Sequence, residues 1–174
     1  MNRRSVFKNL AIVAGGILIL PSCSQDKSKA SIQLNKLDID ADQEALLAEI
    51  GETIIPATDT PGSKALNLHL FVLKMLDDCY EKEDQQKFIA GLNRLKEEIK
   101  KTFGDPFVRC TLAQRSQMLE SIERNKDTPD EMKHFYEIMK GRTIQGYLNS
   151  KYVMTNIDVY EFIPGVPYNG YAPA

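Results

Sequence analysis

The chain has few of the residues that carry most protein chemistry. Among 174 residues there are two histidines, His69 and His134, and three cysteines, Cys23, Cys79 and Cys110. The histidines fall in different helical stretches with no ligand spacing around them, which argues against a zinc site. There is no C-x-x-C-H to attach haem and no nucleophile-elbow serine motif. No G-x-G-x-x-G follows a strand, so the chain carries no dinucleotide or flavin fingerprint of its own. Basic charge is not in surplus either. The 22 Lys and Arg are met by 24 Asp and Glu, for a formal net charge of −2. A nucleic-acid binder carries a basic stripe, and the lysine-rich residues 94–101 are interrupted by Glu97 and Glu98, as on a solvated helix face. Asp77, Asp78 and Glu81 form an acidic cluster at a helix end, where such groups are usually solvated.

Long apolar runs are also scarce. The N-terminal one covers residues 10–20, short of the roughly 20 apolar residues that span a bilayer. Arg3, Arg4 and Lys8 precede it and a small-residue exit follows, the marks of an export signal. Arg3-Arg4-Ser5 with Lys8 resembles a twin-arginine signal, although an ordinary signal with two arginines has the same composition. Leu20-Pro21-Ser22-Cys23 resembles a bacterial lipobox, in which the cysteine is acylated and becomes the mature N-terminus. The organisation expected is a signal peptide over residues 1–22, a polar tether over 23–37 beginning at the lipidated Cys23, and one helical domain over 38–174. The tether has too little apolar content to order itself. This places the protein in the cell envelope, on the periplasmic side, lipid-anchored to a membrane.

Within the domain the apolar spacing is helical almost throughout. Asp40 and Gln43 form a capping box ahead of Leu46, Leu47, Ile50 and Ile54, and Pro56 stops that helix. A second helix is expected to start near Ser63, with Leu66, Leu70 and Leu73 on one face. Phe88, Leu92, Leu95 and Ile99 mark a third, closed by Gly104 and Pro106. Thr111 and Gln114 form another capping box, before Leu112, Met118, Leu119 and Ile122. Thr128-Pro129-Asp130-Glu131 predicts a third box ahead of Met132, Phe135, Tyr136 and Met139. Gly141 and Gly146 leave the length of this last helix open. Tyr152 to Thr155 have strand composition but stand isolated. The fold class expected is all-α, a bundle of about five helices with an irregular Pro/Tyr-rich tail over residues 159–174. Cys79 and Cys110 form a disulfide or remain two free thiols; their positions in sequence allow both.

The tail contains Tyr160, Phe162, Pro164, Pro167, Tyr168 and Tyr171. So many aromatics and prolines do not make a helix, and left in water they form a sticky patch. They pack either on the protein's own helices or on a partner, whose interfaces favour tyrosine.

The double arginine, Thr53-Ile54-Ile55-Pro56, Thr58-Asp59-Thr60-Pro61-Gly62-Ser63-Lys64-Ala65, Leu76-Asp77-Asp78-Cys79-Tyr80, Phe88-Ile89-Ala90-Gly91-Leu92, Thr143-Ile144-Gln145-Gly146-Tyr147 and the terminal Tyr/Pro/Gly tail together resemble the gluconate 2-dehydrogenase subunit 3 family. The resemblance covers nearly the whole mature chain. It implies a non-catalytic accessory subunit with no catalytic, cofactor-binding or metal-binding residues of its own. FAD and sugar or sugar-acid oxidation are expected in a large flavoprotein subunit, and a cytochrome c subunit is expected to take the electrons. Pro56, Thr60, Pro61, Gly62, Tyr147, Tyr160, Phe162, Pro164, Tyr168 and Tyr171 are the residues proposed for contact with that partner. The lipobox at Cys23 departs from the simplest family pattern and adds a tethering role. A different class remains open to the same residues: a free-standing helical envelope lipoprotein that binds a ligand or scaffolds an assembly.

Overall fold

A computed structural model describes residues 29–158. The chain there forms helices α1 (Ala41–Ile54), α2 (Leu68–Cys79), α3 (Lys82–Phe103), α4 (Leu112–Arg124), α5 (Asp130–Leu148) and α6 (Lys151–Asn156), with a 3-10 turn (Phe107–Arg109) before α4. Among the described residues the one β pairing is an isolated bridge between Lys29 and Asp40. The all-α expectation holds. The stretch from Tyr152 to Thr155, strand-like in composition, lies in the short sixth helix, capped by Ser150 accepting from the Val153 N–H. Arg3, Arg4, Lys8 and Cys23 lie outside the described residues, as do the tail residues Tyr160, Phe162, Pro164, Tyr168 and Tyr171.

Helix α1 begins where its capping box predicts. The Gln43 N–H donates to Asp40 Oδ1 (2.8 Å), and the Asp40 N–H donates back to Gln43 Oε1 (3.1 Å). Such a cap contributes about 1 kcal/mol. Leu46, Leu47 and Ile50 turn into the core, and the helix ends at Ile54, ahead of Pro56.

Helix α2 starts five residues later than the sequence suggests. Residues 63–68 first make a tight turn: the Asn67 N–H donates to Lys64 O (3.1 Å) and the Leu68 N–H to Ser63 O (3.0 Å). This pair of bonds is a Schellman closure with Asn67 as its left-handed residue, φ 52°, a conformation asparagine tolerates better than most side chains. The new start resets the helical phase. The buried face is Leu68, Val72, Leu73 and Leu76, not the expected Leu66, Leu70 and Leu73, of which only Leu73 is in the core.

Helices α3 and α5 form the centre. Phe88, Leu92, Leu95 and Ile99 are fully buried, and Gly104 (φ 79°) closes α3 with its N–H on Lys100 O. The two helices meet at Asp84 and His134 (3.4 Å) and at Arg94 and Glu131 (3.8 Å). They approach closest at Gly91, where a Cβ would run into the Glu131 carbonyl and stand 2.5 Å from Phe135 Cβ. The Phe88 and Phe135 rings pack 4.8 Å apart beside this contact, within the range that adds stability beyond burial alone. Helix α5 continues through both Gly141 and Gly146.

Helix α4 has its predicted capping box at Thr111 and Gln114. Met118, Leu119 and Ile122 are buried, whereas Leu112 is 59% exposed. Arg115 joins α4 to the rest of the fold. Its guanidinium donates to the carbonyls of Phe107 (2.9 Å) and Val108 (2.7 Å) and to Glu49 Oε2 (2.7 Å). The third predicted capping box does not form. The Thr128 N–H bonds to Asn125 O in a turn, Thr128 is buried, and α5 starts at Asp130 with Pro129 as its N-cap and no side-chain cap bond.

Residues 29–37 are packed, not a loose tether. Ala30, Ile32, Leu34 and Leu37 lie against the core cluster. The two cysteines are free thiols: Cys79 is exposed at the end of α2 and Cys110 is buried after the 3-10 turn, so the disulfide considered from the sequence is not formed. Among the described residues no helix is long and apolar enough to cross a membrane.

Candidate partner-binding surface

The loop joining α1 to α2 is organised by one carboxylate. Glu52, in the last turn of α1, accepts from the Ala57 N–H (3.0 Å) and the Lys64 N–H (2.8 Å). Gly62 lies directly against this carboxylate: a Cβ there would stand 2.5 Å from Glu52 Oε1 and 2.5 Å from the Ala57 nitrogen. The Ser63 N–H closes the loop on Ile55 O (2.9 Å). Gly62 is therefore buried and serves the loop's shape. Pro56, Ala57, Thr58 and Asp59 are exposed on its outer side, and Pro61 is half-buried.

The far end of α5 comes to the same place. Tyr147 donates its hydroxyl to Thr60 Oγ1 (3.1 Å) across a sequence separation of 87 residues. Gly146 is covered by the Phe71 ring, whose Cδ1 would be 2.8 Å from an added Cβ. Beside Tyr147, Ile144 (40% exposed) and Leu148 (57% exposed) sit one turn apart on the outer face of α5, and Ile157 just after α6 is 52% exposed. The structure thus unites Pro56, Thr60, Pro61 and Tyr147 on one surface. Ile144 and Leu148 were missed from the sequence. The signal was there, because both are off the Met132, Phe135, Tyr136, Met139 stripe that faces the core.

Burial alone would raise the Glu49 pKa, but its hydrogen bonds with Lys64 (2.6 Å) and Arg115 (2.7 Å) prevail and hold it below the ordinary value. Burial would likewise raise Asp77, which has no solvent exposure. There the N–H groups of Asn35, Lys36 and Leu37, at 2.7–2.9 Å, prevail and pull the pKa down. Both carboxylates are shifted downward, opposite to the upward shift that poises a general acid near neutral pH. Burial pushes His69 down, so its ring is held neutral, with Nε2 3.9 Å from Glu44 Oε1. Burial also pushes the Cys110 thiol up, away from the reactive thiolate. Among the described residues no group of three or more His, Cys, Asp or Glu is placed to hold a metal ion.

The family model for gluconate 2-dehydrogenase subunit 3 matches residues 41–165. The chain belongs to this family. The match opens on the first residue of α1, spans every helix described here, and includes both the 56–62 loop and Tyr147. No curated protein and no solved structure matches the chain significantly. Family membership makes this chain an accessory subunit of a dehydrogenase.

Proposed function

We propose that this protein is the non-catalytic small subunit of a membrane-associated, FAD-dependent sugar or sugar-acid dehydrogenase. It supports folding and export of the large flavoprotein subunit, which holds the FAD, and tethers that subunit to the membrane through a lipid on Cys23. A cytochrome c subunit receives the electrons. The observation that carries this reading is the exposed Ile144–Leu148 pair beside the Tyr147–Thr60 bond, within the span matched by the family. Apolar side chains grouped on a surface and flanked by tyrosine are the usual composition of an interface centre.

The test is co-production of the large subunit with this chain, with its Ile144→Asp/Leu148→Asp variant, or alone. The flavin-loaded large subunit exported in each case is then measured. The native chain is expected to raise that amount and to co-purify with the large subunit, and the variant to lose most of both while keeping its helical content. Equal export and flavin loading without the chain would contradict the reading.

A further inference from the structure

We propose that the groove between residues 36–38 and helix α3 is a binding site for one unbranched acyl chain ending in a carboxylate, a free fatty acid, with Lys36 and Lys82 holding its head group. The site goes beyond the function proposed above. It needs neither the large subunit nor a lipid on Cys23.

The groove has a volume of about 430 Å³, within the roughly 300–1,000 Å³ typical of small-molecule sites. One wall is the segment ahead of α1. Asp77, with no solvent exposure, accepts the N–H groups of Asn35, Lys36 and Leu37 at 2.7–2.9 Å and so fixes that segment beside the end of α2. The other wall is one face of α3, where Lys82, Gln86, Ile89 and Asn93 recur at helical spacing. Leu37 and Ile89 pack against the core and also line the groove, together with Ala90.

The bonding of the walls narrows the occupant. Three consecutive N–H groups of the segment are committed to Asp77. An added peptide strand recognises a wall through main-chain hydrogen bonds, and those donors are taken. The Gln85 carboxamide is turned inward as well, donating to the carbonyls of Leu76 and Tyr80, each at 3.0 Å. What the floor offers is Leu37, Ile89 and Ala90, a surface suited to hydrocarbon. Lys36 and Lys82 are exposed, and among the described residues neither side chain makes an ion pair. Asp38 is the one carboxylate lining the groove, so the two ammonium groups outnumber it and favour an anionic head group. A fatty-acid carboxylate is ionised at neutral pH. One trough between two walls takes one chain, not the pair carried by a phospholipid.

The test uses the full chain carrying Cys23→Ser, which takes no lipid, with decanoate and uncharged decanol as probes in titration calorimetry near neutral pH. Decanoate is expected to bind once per chain and about tenfold more tightly than decanol. Ala90→Trp, at an exposed helical position, should fill the groove and weaken both probes. Lys36→Glu/Lys82→Glu should weaken decanoate about tenfold and leave decanol unchanged. A diazirine-bearing analogue of decanoate should crosslink within residues 36–38 or 82–93, a readout that stands even if a variant fails to fold. Crosslinks confined to other segments, including the apolar residues 10–20, or decanoate affinity unaltered by Ala90→Trp, would overturn the site. Decanol bound as tightly as decanoate, or a lysine variant that weakens both alike, would overturn the carboxylate as its ligand.

Discussion

Asp77 and Asp78 are neighbours in sequence with opposite fates. Asp78 is solvated and pairs with Lys74 (3.1 Å) one turn back, as the sequence suggests for that acidic cluster. Asp77 has no solvent exposure and accepts three backbone N–H bonds. The difference was not legible because its partners lie 40–42 residues upstream, in a polar stretch that reads as a tether. The pH response follows. The Asp77 pKa is depressed in the folded protein, so its contribution is fully present above the ordinary carboxylate value of about 3.9 and is lost as pH falls through the lower, folded value. Asp77→Asn is expected to cost about 2 kcal/mol at neutral pH. Urea titrations from pH 7 to 2 should show the gap between wild type and variant narrowing below about pH 4. A gap that stays constant with pH would mean that the charge of Asp77 does not stabilise the fold. His69 acts in the same direction in a higher range. Its depressed pKa keeps the folded ring neutral, so its contribution is present above about pH 6.5 and falls as the solution is acidified below that value.

At the scale of elements, what was legible was local. The boxes at Asp40/Gln43 and Thr111/Gln114 need only residues three apart, and both form. The α3 stripe and its Gly104 stop also follow from neighbours within one helix. The failures involve competing turns that are themselves local but that the helical pattern does not show. The Schellman turn at Asn67 displaced the start of α2, and the Asn125–Thr128 turn withdrew Thr128 from its capping role. Glycine makes the same point within α3 and α5. Gly91 touches the Glu131 backbone across the helix pair, whereas Gly141 has open space. Gly91→Ala should therefore destabilise by about 3 kcal/mol, since an added methyl forces two backbones apart. Gly141→Ala should stabilise by about 0.5–1 kcal/mol through helix propensity. Thermal melts of the two variants are expected to move in opposite directions; a Gly91→Ala protein as stable as wild type would contradict the close α3–α5 contact.

The whole molecule is organised around α1. Its N-terminus receives residues 29–39, and its C-terminus leads into the loop that meets Tyr147 from the end of α5. The sequence pointed to the loop and to Tyr147 separately, because each belongs to a motif, but their meeting 87 residues apart is a property of the packed bundle. Residues 159–174 follow Asp158 in the sequence and lie outside the described residues. Removing them is expected to weaken complex formation without changing the helical circular dichroism; unchanged affinity for the large subunit would remove the tail from the interface. The central claim, that this chain is the small subunit of a flavoprotein dehydrogenase, is tested most directly by purifying the tagged full-length protein from its native membranes in mild detergent and recording the absorbance of what elutes. A stoichiometric large subunit with a flavin spectrum is the predicted result. A colourless protein eluting alone would contradict the claim and leave a free-standing helical lipoprotein with the family's fold.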